Sequence, residues 1–347
     1  MNTDIPQPFF DGHNDLLLNL WLHHGDDPAE AFYAGLVGQL DYPRMRRGGF
    51  AGGLFAVFVP PAAYLTNMRL RGSIRDETDC APLAISAAQI EILHTLAQDS
   101  QGRARICRSV DDIEYCLRNN VLAMVLHLEG AQSLDTDLLL LDQFYQQGLR
   151  SIGPFWNEQN QFGSGVKGDF PGSPDTGPGM TPAGKALIEV CNQKRILIDL
   201  SHMNEKAFWQ MAELSDAPLV ATHSNAHTIC PQPRNLTDMQ LAAIAASDGL
   251  VGVNFGTAFL RGDGKHDGGT PITDIVKHLC YLIDRIGEDR VGFGSDFDGV
   301  NVPDALGDVA GMPRLLEAMT RAGINDALRE KLAWRNWLRV LMRTWGG

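Results

Sequence analysis

The sequence predicts a closed (β/α)8 barrel, the α/β fold in which eight parallel strands alternate with helices around a ring. Two observations point to this fold. Short apolar segments, many of them rich in β-branched residues, alternate along the chain with helical patterns, as in parallel βα units. Residues with metal-binding side chains also stand singly at the ends of these segments, and a barrel brings all such ends to one face.

Eight segments fit buried strands, because each is apolar and is followed by turn or polar residues. They lie at about residues 8–15, 50–59, 122–129, 150–156, 195–201, 218–223, 250–255 and 290–296. The count of eight depends on how the segments are divided, and a neighbouring count also fits.

Helical signals occupy most of the intervals between these strands. Apolar spacing, N-caps and C-caps predict helices over residues 82–98, 181–194 and 271–286, and a helical tail over 325–345. Thr237 and Gln240 form a capping box before a further helix. We therefore expect one barrel domain, residues 1–347, that ends in a helical tail.

Two long segments interrupt the alternation of strands and helices. Residues 16–47 are mixed in character, and residues 157–180 are rich in glycine and proline. Long loops in compact domains are usually functional or disordered. Because the second segment leaves the carboxyl end of a strand, we expect it to form a wall of the substrate pocket.

The composition excludes several classes of function. The chain has 347 residues and a net charge of −13, which disfavours nucleic acids and anionic membranes as partners. Residues 1–15 lack the features of a signal peptide, and the apolar stretch 53–65 is too short to span a membrane. These features predict a soluble, cytoplasmic protein.

Six cysteines are scattered along the chain, and none belongs to a Cys-x-x-Cys pair. This pattern argues against a zinc finger, a thioredoxin-like site or a disulfide framework. We expect reduced and mostly buried thiols.

Residues suited to binding a divalent metal follow or end five of the predicted strands. They are His13, Asp15, Glu129, His202, His223 and Asp296. No single loop could gather residues so far apart in the sequence, whereas the ring of strand ends in a barrel could.

The strand positions suggest how these side chains meet. His13 and Asp15 are two residues apart, so on a strand they point to the same side. The carboxylate of Glu129 ends a buried strand, needs a cation or hydrogen-bond donors, and could bridge two metals. His127 has the same parity as Glu129 and is a rival ligand. We prefer to place it among the side chains that fill the barrel or behind the ligands.

Asp296 lies in the segment GFGSDFDG, where a carboxylate beside a metal-activated water can serve as general base and then as general acid. Asp298 is the rival for this role because it has the same parity. A nucleophile elbow, a Walker A loop and a Rossmann fingerprint in the proper context are all missing from the sequence.

These motifs resemble those of the membrane (renal-type) dipeptidases, zinc peptidases of family M19 in the amidohydrolase superfamily. The resemblance rests on DGHND (11–15), LEGA (128–131), DLSH (199–202), ATHSNAH (221–227), PRN (233–235) and GFGSDFDG (292–299). In order and spacing these motifs extend over almost the whole chain.

The resemblance implies a barrel of the metal-dependent hydrolase type with two zinc ions. His13 and Asp15 would bind one ion, His202 and His223 the other, and Glu129 would bridge them. A hydroxide between the metals would attack the peptide carbonyl of a small dipeptide, and dipeptides with a C-terminal D-residue would be among the substrates. Asp296 would transfer the proton to the departing amine. A homodimer is a further feature that the family suggests.

Two other residues acquire roles through the resemblance. Arg234 matches the arginine that holds the substrate's terminal carboxylate, and a guanidinium suits this group because it binds carboxylates through paired hydrogen bonds. Trp156 stands where family members carry a histidine that steadies the oxyanion. Because an indole offers one N–H and no charge, Trp156 would mark an altered substrate-binding wall.

The leading hypothesis is therefore a zinc-dependent dipeptidase. One alternative keeps the metals but acts on N-acyl amino acids or another small amide, and Trp156 would mark such a subgroup. The other alternative is a barrel without catalytic activity, and a complete set of metal-binding residues argues against it.

Overall fold

The computed structural model describes residues 6–70 and 80–346. Within these ranges the strands are β1 (Phe9–Asn14), β2 (Phe50–Phe58), β3 (Ala104–Ile106), β4 (Leu122–Glu129), β5 (Leu149–Gly153), β6 (Gln159–Asn160), β7 (Gly163–Ser164), β8 (Leu197–Ile198), β9 (Val220–Ala221), β10 (Leu250–Val253) and β11 (Val291–Phe293). Each of the eight predicted segments overlaps one strand of the barrel, so the predicted count of eight is confirmed.

Eight of the strands form a parallel ring in the order of the chain. The sheet runs β8-β5-β4-β2-β1-β11-β10-β9, and its two ends meet where Asp199 pairs with Val220. The backbone N–H of Leu200 donates to the carbonyl of Val220 at 2.9 Å across this junction. The predicted (β/α)8 barrel is confirmed, because a ring with this strand order and helices between its strands is that fold.

Three short strands were not predicted. Strand β3 pairs with the first half of β4, through Ala104 opposite Leu122 and Ile106 opposite Met124. Strands β6 and β7 form a two-stranded antiparallel hairpin inside the segment 157–180. Each has only two or three residues, too few to show an alternation of polar and apolar residues.

The helices occupy most of the intervals between the strands. They are α1 (Leu16–His23), α2 (Pro28–Ala34), α3 (Tyr42–Gly48), α4 (Ala62–Leu70), α5 (Pro82–Gln98), α6 (Val110–Asn119), α7 (Leu139–Gln147), α8 (Pro182–Lys194), α9 (Glu205–Leu214), α10 (Asp238–Ala246), α11 (Thr257–Leu260), α12 (Thr273–Ile286), α13 (Met312–Arg321), α14 (Asp326–Glu330) and α15 (Asn336–Trp345). The predicted helices over 82–98, 181–194 and 271–286 are confirmed as α5, α8 and α12.

Capping residues set several helix boundaries. The Thr237 side chain accepts from the backbone N–H of Gln240, whose side chain accepts from the Thr237 N–H, which confirms the predicted capping box. The segment 16–47 holds three helices rather than irregular chain, and Asp27 and Asp41 cap two of them. The prediction missed these helices because each spans only seven or eight residues.

The tail departs from the single helix that the sequence predicted over 325–345. A π-helical turn, Lys331–Arg335, separates α14 from α15. After this turn, Trp337 and Leu341 lie on the buried side of α15.

Two apolar cores lie on opposite sides of the barrel wall. The larger fills the space between the strands and the surrounding helices. The smaller lies inside the barrel near the first residues of the strands, and it includes Phe10, Val125, Val220 and Leu250. Trp337 from α15 is fully buried in this inner core, and its indole N–H donates to the carbonyl of Phe293 at 2.9 Å. The tail therefore closes the end of the barrel opposite to the candidate site.

Most of the cysteines are buried, as the sequence predicted. No disulfide joins any of the six among the described residues: Cys107, Cys116, Cys191 and Cys230 are buried, Cys80 is partly buried and Cys280 is exposed. Among the described residues, none of the helices is both long enough and apolar enough to cross a membrane.

Replacing Trp337 tests the closure of the barrel by the tail. Trp337→Ala removes a fully buried ring and its hydrogen bond, so the free energy of unfolding should fall by about 3–5 kcal/mol in denaturant titrations. Trp334→Ala is the control. Because Trp334 is only partly buried, its replacement should lower the free energy of unfolding clearly less. Equal losses for the two variants would show that Trp337 does not have this role.

Candidate metal centre

The candidate site lies at the carboxyl ends of the barrel strands. His13 is the second-last residue of β1, and Asp15 follows that strand and precedes α1. Glu129 is the last residue of β4. His202, His223 and Asp296 lie in the loops that leave β8, β9 and β11. All six side chains are buried, and the ring of strands brings them together although they span most of the sequence.

Three of these residues, all histidines, surround the carboxylate of Glu129. Its Oε1 atom lies 3.6 Å from His13 Nε2, 2.9 Å from His202 Nε2 and 3.6 Å from His223 Nε2. His13 Nε2 is also 3.7 Å from Asp15 Oδ2.

The ligand atoms divide into two groups that share one member. His13, Asp15 and Glu129 form one group, and Glu129, His202 and His223 form the other, with atoms within 4.8 Å of one another in each. Two further overlapping groups combine His13 with His223 and Asp296, and His13 with His127 and Asp199.

The two histidines from the β8 and β9 loops turn the same ring atom toward Glu129. His202 Nδ1 lies 2.8 Å from Asn157 Oδ1, and His223 Nδ1 lies 2.8 Å from Thr222 Oγ1. Their Nε2 atoms are consequently directed inward and stand only 3.0 Å apart. Arg234 Nη2, which can only donate, is 3.3 Å from His202 Nε2, so that nitrogen presents a lone pair.

Burial keeps the imidazoles of His202 and His223 neutral. Burial and the positive charge of Arg234 lower the pKa of His202 to about 3, and burial and His13 lower the pKa of His223. Neutral imidazole is the form that binds a metal.

The pKa values of two carboxylates in the cluster shift in opposite directions. Burial alone would raise the pKa of Glu129, but the surrounding His13, His202 and His223 hold it well below its usual value. Burial and the charge of Glu129 raise the pKa of Asp15 well above its usual value. The site thus concentrates negative charge that a cation would stabilise.

Unpaired polar atoms indicate that these residues suit a metal. Neither ring nitrogen of His13 has a hydrogen-bond partner among the described residues, and the same holds for Asp15 Oδ1. Leaving such buried groups unpaired costs free energy. Imidazole nitrogens and carboxylate oxygens at these distances fit a divalent cation, which would satisfy the atoms together.

Asp296 and Asp298, which strand parity could not separate, have different surroundings. Asn254 Nδ2 donates to Asp296 Oδ2 at 2.7 Å, and Asp296 Oδ1 lies 4.0 Å from His13 Nε2. Asp298 Oδ1 instead accepts from the backbone N–H of Gln39 at 2.6 Å. Both aspartates have positive φ, so the chain turns here and strand parity no longer applies. Of the two, only Asp296 belongs to a group of candidate metal ligands.

Arg234 is buried beside the β8 and β9 loops. Its Nη1 donates to the carbonyl of Ser201, and its Nη2 donates to the carbonyl of His223 at 3.3 Å. Its Nε has no partner among the described residues. The arginine is thereby fixed next to His202 with a donor still available.

A cavity of about 430 Å³ opens onto the cluster. Its walls include Asp15, Glu129, His202, Arg234 and Asp296, together with apolar residues such as Phe58 and Phe259. Trp156 also lines it, with its ring 5.2 Å from Phe58 and 6.1 Å from His202 between centroids. Of the segment 157–180, only Asn157 lines this cavity, so the prediction that the segment forms its wall holds for one residue.

Sequence reasoning missed several residues of the site. These are Asn157, Asp199, Thr222, Asn254 and His266. His266 is exposed and lines the cavity. His127, the rival ligand, places Nδ1 2.8 Å from Ser151 Oγ and lies behind the cluster. Asp199 did carry a signal in the sequence, since it is a carboxylate within the apolar segment 195–201 that was predicted as a strand.

Comparison with known proteins identifies similar chains. A family model described as membrane dipeptidase (peptidase family M19) matches residues 5–344. An uncharacterized protein from the pqqA 5′ region of Klebsiella pneumoniae is 58% identical, over 76% of this chain and 97% of that one.

Two solved structures are similar over nearly their whole length. Dipeptidase AC, a metallopeptidase of family M19, has a TM-score of 0.90 and 42% identity, covering 98% of this chain and 99% of that one. A metallopeptidase from Rhodobacter sphaeroides, liganded with a phosphinate mimic of the dipeptide L-Ala-D-Ala, has a TM-score of 0.90 and 43% identity. The match covers 98% of this chain and 100% of that one.

Gly299 offers a test of the packing at the centre. A Cβ atom at Gly299 would overlap Asp15 and lie 2.6 Å from Asp296 Oδ1. Gly299→Ala should therefore displace a carboxylate and weaken the binding of divalent metal by about 10–100-fold, as measured by metal analysis after dialysis.

Gly25→Ala is the matched control, because the nearest atom to its Cβ would be 3.5 Å away, an ordinary contact. If Gly299→Ala bound metal as tightly as this control, the Asp15 carboxylate would not be a ligand.

Proposed function

Because the chain belongs to the membrane dipeptidase family (peptidase family M19) and is a metal-dependent dipeptidase, we propose that it uses two zinc ions to hydrolyse small free dipeptides. The substrates include dipeptides with a D-residue at the C-terminal side. The observation that carries the proposal is the sharing of Glu129 by two groups of candidate ligands.

The residues divide naturally between two ions. His13 and Asp15 would hold one, His202 and His223 the other, and Glu129 would take part in holding both. When bound, such ions polarise the peptide carbonyl and make water a stronger nucleophile near neutral pH. The neutral state of His202 and His223 and the ionised state of Glu129 support this assignment.

Asp296 would move the proton during hydrolysis. Asn254 holds its Oδ2, which leaves Oδ1 directed toward the candidate ligands. In our proposal Oδ1 accepts a proton from the attacking water and later donates it to the departing amine, as a general base and then a general acid.

Arg234 would position the substrate through its terminal carboxylate. The guanidinium is buried within the cavity wall, where a carboxylate could form charge-assisted hydrogen bonds with little competition from water. The lining of the same cavity also includes Asp296 and Asp298. A cavity lined by both a cation and carboxylates matches a zwitterionic dipeptide better than an N-acyl amino acid.

The preference for a D-residue is supported by the Rhodobacter sphaeroides relative, whose structure holds a phosphinate mimic of L-Ala-D-Ala. The second candidate function, hydrolysis of N-acyl amino acids, is favoured by the contact of Trp156 with Phe58, which makes part of the wall apolar. The single domain over residues 1–347, the cytoplasmic location and the homodimer stay predictions.

A panel of substrates tests the proposal. Zinc-reconstituted protein would be assayed for release of free amine from L-Ala-D-Ala, L-Ala-L-Ala and N-acetyl-D-Ala, with metal-stripped protein as the blank. Turnover of the dipeptides, with little of the N-acetyl compound, is the expected result. Turnover confined to the N-acetyl compound would support the second function, and no turnover of any of them would contradict both.

Paired substitutions separate the two aspartates of the β11 loop. Asp296→Asn removes the proton acceptor with little change of shape, so kcat for L-Ala-D-Ala should fall by about 10²–10⁴-fold. Asp298→Asn is the matched comparison. Its kcat should fall much less, because the Asp298 carboxylate accepts from the backbone N–H of Gln39 and has no part in the proton transfer. Full activity in Asp296→Asn would remove the residue from its proposed role.

Loss of Arg234 should mainly weaken substrate binding. Arg234→Ala leaves the substrate carboxylate unpaired, a cost of about 2 kcal/mol or more, so KM for L-Ala-D-Ala should rise by roughly 30-fold or more. The matched control is L-Ala-D-alaninamide, whose neutral end should make its KM nearly independent of Arg234. An unchanged KM for L-Ala-D-Ala would show that Arg234 does not bind the carboxylate.

A further inference from the structure

A buried carboxylate behind the cluster has all its partners in the next two loops. Asp199 Oδ1 accepts from Ser201 N at 2.9 Å, Ser201 Oγ at 2.6 Å and Thr222 N at 2.8 Å. Its Oδ2 accepts from Thr222 Oγ1 at 2.5 Å. A carboxylate that receives this many hydrogen bonds is stabilised in its ionised, acceptor-only form.

The hydroxyl of Thr222 contacts both Asp199 and His223. It carries a single proton, and the ionised Asp199 can only accept, so this proton is donated to Asp199 Oδ2. At its second contact, 2.8 Å from His223 Nδ1, the Thr222 oxygen must therefore be the acceptor. The nearby Ser201 hydroxyl does not alter this order, because its own proton goes to Asp199.

This order of donors fixes the state of His223. Its Nδ1 carries the proton, so the neutral ring has a lone pair on Nε2, the atom 3.6 Å from Glu129 Oε1. We propose that Asp199 is a positioning residue that acts through Thr222 to hold His223 in the tautomer and orientation that a metal requires. The inference rests on the proposed function, since it assigns His223 as a ligand.

The geometry favours this relay over two simpler interpretations. Direct contact between Asp199 and His223 is weaker, because Asp199 Oδ2 is 3.7 Å from His223 Nδ1. Asp199 is also a poor ligand for a metal shared with His127, because its oxygens already accept four hydrogen bonds. Since Asp199 pairs with Val220 where the barrel closes, a purely structural role must be separated by experiment.

Three substitutions separate these roles in the full-length protein. Thr222→Val keeps the shape of the side chain but removes the hydroxyl, and it should weaken zinc binding by about 10–100-fold in competition with a chromophoric chelator. Thr222→Ser restores the hydroxyl and should bind zinc nearly as tightly as the wild type. Thr344→Val, which removes a buried hydroxyl from α15, is the matched control.

A second readout reports the tautomer without metal or activity. Nitrogen-15 NMR of histidine in the metal-free protein should show the His223 proton on Nδ1 in the wild type and in Thr222→Ser. In Thr222→Val and Asp199→Asn the proton should move toward Nε2, because the acceptor at Nδ1 is lost or becomes a donor. Thermal unfolding of the metal-free variants checks that the barrel is intact.

The outcomes distinguish the inference from the proposed function. If Thr222→Val binds zinc as tightly as Thr344→Val, or if its His223 proton stays on Nδ1, the relay does not exist. If the wild type itself binds no zinc at the cluster, the proposed function fails, whereas the tautomer measurement still decides whether Thr222 orients His223.

Discussion

The buried carboxylate of Glu129 is the group on which the rest of the site depends. A buried charge in this position needs a cation or donors around it, and the Nε2 atoms of three imidazoles face it at 2.9–3.6 Å, as the ligands of a shared cation would. The imidazoles come from β1 and from the loops after β8 and β9, strands that are distant in sequence. Only a closed ring brings them to the end of β4, so the barrel and the chemistry of the site require each other.

The closure of the ring is coupled to the orientation of one candidate ligand. Asp199 lies where β8 meets β9, and its carboxylate binds the Thr222 hydroxyl that contacts His223. The same few hydrogen bonds thus join the last strand pair of the barrel and direct a ring nitrogen toward Glu129. On the other side of the centre, Asn254 has a comparable effect on Asp296 through a single hydrogen bond of 2.7 Å.

The sequence predicted the barrel and the places of the cluster because both follow from local patterns. Apolar strands and the polar residue at each strand end are visible along the chain, as for Glu129 at the end of β4. The partners that orient the cluster are not visible in this way, because Asn157 and Thr222 depend on how separate loops pack. The alternation of side chains along a strand could not separate Asp296 from Asp298, because both have positive φ and lie beyond the end of β11.

The most direct test of the two-metal centre is X-ray diffraction from crystals of zinc-reconstituted protein, measured on both sides of the zinc absorption edge. The account predicts two anomalous peaks, one among His13, Asp15 and Glu129 and the other among Glu129, His202 and His223. A single peak, or peaks that do not contact Glu129, would contradict the assignment of this carboxylate as the bridge between two ions.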